Sequence, residues 1–208
     1  MKTAHIDELD RHEMRDGFVW RPVRRRFGIK AFGVNAYTPG ATKQIVEEHT
    51  ESQLGHEEIY LVLRGRIRFT AGDDEHELSQ GQLIFMRDPS LKRGAVALTD
   101  DAAVLAVGGK PGEAYEISAW ETWFVAAPLV EAERWDEVIA LHEEALAERP
   151  DHTPLLYNLA CMEARAGNSA DAKAHLKRAI ELEPKWSEYA VKDADFASIS
   201  GDPDFPAA

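Results

Sequence analysis

The hydrophobic pattern of the chain changes period once, near residue 118, and that change divides what each part can fold into. Upstream, Val23, Arg25, Phe27 and Ile29 stand two apart, as do Phe32, Val34 and Ala36. Aliphatic and β-branched runs follow at Ile59–Leu63, Arg66–Thr70, Gln82–Met86, Gly94–Leu98 and Ala102–Val107. A period of two places side chains on one face of a strand. Turn signals separate the runs, among them Thr38-Pro39-Gly40, Ala71-Gly72-Asp73-Asp74, Ser79-Gln80-Gly81, Asp88-Pro89-Ser90 and Gly108-Gly109-Lys110-Pro111-Gly112. Many short strands at this spacing, with no helical segment between them, predict an antiparallel sandwich or barrel. From Ala119 on, apolar residues recur at three and four positions, the spacing of amphipathic helices. The expected organisation is an N-terminal arm or short helix over 1–17, an all-β barrel over 18–117 and an all-α region over 118–208.

Charge follows the same division. The 208 residues hold 24 Lys and Arg against 37 Asp and Glu, a net of −13. Residues 1–116 carry 16 against 19, and residues 117–208 carry 8 against 18. The acidic second part repels phosphate backbones and anionic lipid, so neither nucleic acid nor a membrane is expected as partner. No apolar run reaches the roughly 18 residues of a membrane span. The charged start MKTAHIDELDRHEMRDG lacks the apolar stretch of a secretory signal. A single cysteine, Cys161, leaves no internal disulfide and fits a reducing compartment, so a cytoplasmic location is expected. The Arg24-Arg25-Arg26 triplet falls on a predicted strand, where alternation turns Arg25 away from its neighbours and breaks up any basic patch. No phosphate-loop or nucleophile-elbow motif occurs.

Shifting the second part by 34 residues aligns Ala126 with Ala160, Ala132 with Ala166, Ala140 with Ala174, Ala145 with Ala179 and Pro150 with Pro184. This period resembles the tetratricopeptide repeat, a helix-turn-helix unit, with copies at about 119–152 and 153–186. The second copy fills the family positions with Leu156, Leu159, Ala160, Gly167, Ala172, Leu176, Ala179 and Pro184. Gly167 is expected to end one helix and Pro184 the next. In the first copy Pro128 is expected to kink its helix or to mark a late start. Lys185–Lys192 reads as a further capping helix, followed by a tail whose Phe196 and Phe205 cover the last open face. The resemblance implies a peptide groove lined by Trp123, Tyr157, Asn158 and Cys161 and thus a protein or peptide partner. Read from the residues alone, the tryptophans are core, Asn158 is structural and Cys161 is a small buried side chain.

The stretch His56-Glu57-Glu58-Ile59-Tyr60-Leu61-Val62-Leu63-Arg64-Gly65 resembles the first motif of the cupin family, and Gly81-Gln82-Leu83-Ile84-Phe85-Met86-Arg87-Asp88-Pro89 resembles the start of its second. The resemblance implies a jelly-roll barrel, a double-stranded β-helix, and a homodimer. Gly65 takes the turn position, and Glu58 falls on the family's carboxylate metal ligand. The family's two histidine slots before it hold Glu51 or Ser52 and Gln53 or Leu54. Its last histidine slot holds Lys92, with Arg93 beside it, so one of four usual ligands is in register.

Two uses of this site follow. In the first, His56, Glu58, Tyr60, Lys92 and Arg93 form a pocket for a small organic acid, or else a closed ion pair between Arg93 or Lys92 and Glu58. The protein is then a non-catalytic ligand- or partner-binding protein with a repeat interaction module and no resident cofactor. In the second, His49, His56 and Glu58 hold a divalent metal (Fe, Mn, Ni or Zn) in an isomerase, epimerase or dioxygenase, with Tyr60 as an acid or orienting group. Fold resemblance does not choose between them.

Overall fold

A computed structural model describes residues 1–206. The chain divides into two compact units, Met1–Ile117 and the part from Ser118 on.

In the first unit a single 3-10 turn at Ile6–Glu8 precedes β1 (His12–Glu13) and β2 (Phe18–Arg21). Then come α1 (Val23–Phe27), β3 (Gly33–Pro39), β4 (Gln44–His49), β5 (Glu57–Arg64) and β6 (Arg66–Ala71). β7 (Asp74–Ser79), β8 (Leu83–Met86), β9 (Arg93–Ala97) and β10 (Ala103–Gly109) complete it. Every paired strand is antiparallel. One sheet runs β1-β2-β3-β10-β5-β8 and the other β4-β9-β6-β7. Without β1 and β2, the eight remaining strands follow the strand order of a jelly roll. The core between the sheets holds Ile45, Tyr60, Val62, Ile67, Phe69, Met86 and Val104, supplied by alternate positions of each strand.

The β5–β6 hairpin turns at Gly65, whose φ is +67°. A Cβ there would meet Thr99 Oγ1 and stand 2.8 Å from the Ala102 Cα. Only glycine fits both conditions.

The structure corrects the sequence expectation for Val23–Ile29. This segment is a helix, entered at Pro22 and ended by Gly28 at φ +68°. In five residues the spacing of Val23 and Phe27 serves a helix as well as a strand, and the flanking Pro and Gly decide for the helix. The arginine triplet therefore lies on a helix. Arg24 is buried and donates to the Ile29 carbonyl at 2.8 Å, while Arg25 and Arg26 are exposed.

The second unit contains α2 (Ala119–Glu131), α3 (Trp135–Glu148), α4 (Thr153–Ala166), α5 (Ser169–Leu182) and α6 (Lys185–Ala190). α2 starts at Ala119 behind its Ser118 cap and continues through Pro128, so the helix has no late start. Pro128 removes one i→i−4 hydrogen bond, and the helix ends one turn later at Glu131. Gly167 ends α4 at φ +87°. Pro184 stands between α5 and α6. Val138, Leu156, Ala160, Ala172, Leu176 and Ala179 form the core, closed by Phe196, Ile199 and Phe205 from the tail. Among the described residues no helix is long and apolar enough to cross a membrane.

Candidate functional site

β5 carries Glu58 and Tyr60 on one face, pointing between the sheets, with Glu58 paired in register with Met86 on β8 and Gly108 on β10. Gly108 leaves the room: a Cβ there would stand 2.9 Å from the Glu58 Cγ. On the opposing sheet, His49 at the end of β4 is the register partner of Arg93 on β9. The two strand pairs thus bring Glu58, Tyr60, His49 and Arg93 to one end of the sandwich. The loop 50–56 adds Glu51, whose N–H donates to the Pro89 carbonyl at 2.8 Å and ties that loop to the turn before β9.

Glu58 Oε2 accepts from the Tyr60 hydroxyl at 2.6 Å and from Arg93 Nη1 at 3.0 Å. Arg93 is fully buried. Its Nε donates to the Leu91 carbonyl at 3.1 Å, and its Nη2 donates to the carbonyls of Asp88 at 2.8 Å and Leu91 at 2.9 Å. All three guanidinium nitrogens therefore have partners within the protein. Lys92 is exposed and pairs with Glu48, away from Glu58.

His49 Nδ1 lies 2.7 Å from the Glu47 carbonyl. A carbonyl only accepts, so Nδ1 carries the proton and Nε2 faces the carboxylates. Nε2 is 3.5 Å from Glu51 and 3.8 Å from Glu58. Burial pushes the His49 imidazole down, but Glu58, the Glu47 carbonyl and Glu51 outweigh it, and the net shift is upward. Burial likewise pushes Glu58 up, and His49, Tyr60 and Arg93 bring it below its ordinary value. The Tyr60 hydroxyl is raised well above its usual value by burial and by Glu58, so it keeps its proton.

His56 is buried, its Nδ1 3.3 Å from Glu51 Oε2 and its ring 5.8 Å from that of Tyr115. It thus faces Glu51, while Glu58 faces His49. Ligand atoms of His49, Glu51 and Glu58 lie within 4.8 Å of one another. Glu51 Oε2 is buried and accepts no hydrogen bond. Glu51 was not among the ligands expected from sequence, although it stands in a histidine slot of the motif.

In the helical unit, Trp123 is half-buried against the core. Tyr157 stacks on Trp186 at 4.6 Å and donates to Asp193 Oδ2 at 2.8 Å. Cys161 is buried, its Sγ 3.7 Å from the same oxygen, and burial raises its pKa far above the usual thiol range. Asn158 is half-buried. Two of the four groove positions, Tyr157 and Cys161, thus lie against the chain's own α6 and tail.

A family profile described as tetratricopeptide repeat matches residues 129–192. No curated protein sequence matches the chain. Among solved structures, the chain is similar to an RmlC-like cupin from Desulfovibrio desulfuricans, with 24% identity, 52% of this chain and 96% of that one covered, and a TM-score of 0.42. It is also similar to a cupin-superfamily sugar phosphate isomerase from Silicibacter pomeroyi, with 20% identity, 52% and 76% covered, and a TM-score of 0.42. The polyketide cyclase RemF from Streptomyces resistomycificus matches at 17% identity, with 57% and 88% covered and a TM-score of 0.41. Independently of these likenesses, the strand order is that of a jelly roll. The chain joins a jelly-roll β-unit to a helical unit in which residues 129–192 match the tetratricopeptide repeat.

Proposed function

We propose that this is a two-part binding protein whose β-unit takes a divalent cation at the barrel mouth and whose helical unit takes a protein partner. One observation carries the cation: His49, Glu51 and Glu58 bring ligand atoms within 4.8 Å of one another, and the buried Glu51 Oε2 among them makes no hydrogen bond, its close neighbour being His56 Nδ1 at 3.3 Å. Buried carboxylate oxygens are ordinarily satisfied, and a cation is what satisfies one among other acceptors. The His49 ring is held by its Nδ1–H on a backbone carbonyl, the outer-shell bond that orients ligating histidines. His49 Nε2, Glu51 and Glu58 would hold the ion, with His56 next to Glu51. A set of histidine and carboxylate ligands suits Fe(II), Mn(II), Ni(II) or Zn(II). When bound, such an ion supplies Lewis-acid polarisation of an oxygen ligand. Arg93 and Tyr60 act on the Glu58 carboxylate and fix its orientation.

Binding is favoured over catalysis by the state of Tyr60. It is 2% exposed and spends its proton on Glu58, so it reaches no substrate as an acid. The metal-dependent isomerase, epimerase or dioxygenase reading keeps His49 and Glu58 but loses its proton donor. For the helical unit, 18 acidic against 8 basic residues favour a basic partner.

Metal analysis of the purified protein, followed by thermal shift with each of the four ions, tests the cation. One ion per chain and a raised Tm, both lost in Glu51→Gln, are expected. Absence of metal together with no stabilisation by any of the ions overturns the proposal.

A further inference from the structure

The burial of β3 reverses the usual pattern of a sandwich strand, in which inner positions are buried and outer ones meet water. Gly33, Asn35, Tyr37 and Pro39 are half-exposed, and Val34, Ala36 and Thr38 between them are buried. The half-exposed set is the inner one. Asn35 is the register partner of Ala106, and Ala106 that of Tyr60, so the three side chains share a face. Ala106 and Tyr60 belong to the core between the sheets. The outer positions are covered, with α1 packed against this strand. Water therefore reaches the interior of the β-unit along β3.

Asn35 Oδ1 is buried in that interior and makes no hydrogen bond. The row of inner positions next nearer the mouth is Gly33 on β3, Gly108 on β10 and Glu58 on β5. Two glycines in one row leave no side chain of β3 or β10 between Asn35 and Glu58. Tyr115 roofs this row: a Cβ on Gly33 would stand 2.8 Å from its hydroxyl, and its ring lies 5.8 Å from that of His56. Asn35 thus looks across a step without side chains towards the cluster of His49, Glu51 and Glu58.

We propose that Asn35 is a specificity-determining residue of this site, its amide oxygen accepting a hydroxyl of a small hydroxycarboxylate whose carboxylate sits on the cation. The inference rests on the cation proposal and adds to it what the ion holds.

The chemistry of each end selects the ligand. A divalent cation among a histidine and two carboxylates takes a further oxygen anion. The amide oxygen is an acceptor and requires a donor. On the inner face Asn35 is flanked by Gly33, Tyr37 and Ala106, none of them charged, so a neutral hydroxyl is favoured over an ammonium there. A second carboxylate is disfavoured, because Arg93 has its three nitrogens engaged and Lys92 turns to Glu48. Asn35 and Glu58 lie two strand spacings and one inner position apart, about 12 Å between Cα atoms. The side chains and their bonds take up about half of that, leaving room for a ligand of roughly four to six carbons.

Calorimetric titration of protein loaded with Mn(II) or Zn(II) tests this. The probes are the ω-hydroxy acids of four, five and six carbons and the unsubstituted acids of the same lengths. At least one hydroxy acid should bind about five- to tenfold tighter than its parent, the worth of one hydrogen bond. Asn35→Leu should abolish that preference and keep one ion per chain. Without ligand, Asn35→Leu should melt no lower than the wild type, because it removes a buried oxygen that bonds nothing in the protein. One ion per chain with no hydroxyl preference at any length, or a preference that survives Asn35→Leu, overturns the inference and leaves the cation reading standing. A Tm lowered by more than about 4 °C in Asn35→Leu assigns the residue a structural role and overturns the inference too. Failure of both ions to bind overturns the cation reading and this inference with it.

Discussion

Replacing Arg93 by methionine tests how the barrel mouth is held together. The guanidinium is fully buried and binds Glu58 Oε2 at 3.0 Å and the Asp88 and Leu91 carbonyls at 2.8 and 2.9 Å. Methionine keeps most of the stem volume and removes every donor. Removing one partner of a buried pair costs about 3–5 kcal/mol, because the other charge stays behind. Here His49, 3.8 Å away, retains part of the compensation, which argues for the lower half of that range. The two carbonyls add about 1 kcal/mol each at most, since Asp88, Ser90 and Leu91 are exposed and water can replace the donor. The expected loss is about 4 kcal/mol, roughly a thousandfold in the folding equilibrium. Hydrogen exchange on β5 and β9 peptides in increasing urea reads the β-unit separately from the helical unit. Glu58→Gln together with Arg93→Met should cost at least about 1.5 kcal/mol less than the two single changes added. A single-variant loss below about 1 kcal/mol, or additive effects, would show that the pair is not what fastens β5 to β9.

Three further outcomes follow from the geometry. Gly65→Ala forces a positive φ on alanine and a Cβ onto Thr99 and Ala102, so a loss of about 2–4 kcal/mol in β-unit stability is expected by denaturant unfolding. Phe196→Ala, at a fully buried ring 5.7 Å from Tyr157 and 5.9 Å from Phe205, should lower helical-unit stability by about 3–5 kcal/mol, seen as early loss of helical circular dichroism on heating. His175 lies 2.9 Å from Glu163 on α4; the Glu163 hydrogen bond raises its pKa and burial opposes it, while burial raises Glu163. A raised histidine favours the folded state below its unfolded value of about 6.5 and loses that contribution as pH climbs through the folded value, and a raised carboxyl acts in the same direction. Helical-unit Tm should therefore fall from pH 6 towards pH 8, and His175→Gln should flatten that slope; an unchanged slope would contradict the assignment.

The two-unit plan was legible because it rests on local patterning. Strand alternation, the Gly65 hairpin, the Gly167 and Pro184 helix stops and the 34-residue offset are all signals within a few turns of chain. Val23–Phe27 was misread because five residues are too few to separate periods of two and 3.6. β4 and β7 escaped notice because they bury few side chains, Ile45 and Val46 on one and Leu78 on the other. At the site, Glu58 and the cation beside it were readable from the motif, but choosing Arg93 over Lys92 required the β4–β9 register. Glu51 enters through a loop tied to the Pro89 carbonyl, a contact with no local signature. Tyr157 and Cys161 have the spacing of groove residues, and only the return of the tail shows Asp193 and Phe196 lying against them.

Calorimetric titration of metal-stripped protein with Mn(II) and Zn(II), run at pH 6 and pH 8 on the wild type and Glu51→Gln, tests the central claim most directly. The carboxylates and the Glu47 carbonyl raise the His49 pKa, so a metal ion at Nε2 competes with a proton there. The expected result is one site per chain, tighter at pH 8 than at pH 6, with proton release on binding at pH 6 and loss of the site in Glu51→Gln. Absence of binding at both pH values, or binding that Glu51→Gln leaves unchanged, would contradict a cation site at His49, Glu51 and Glu58.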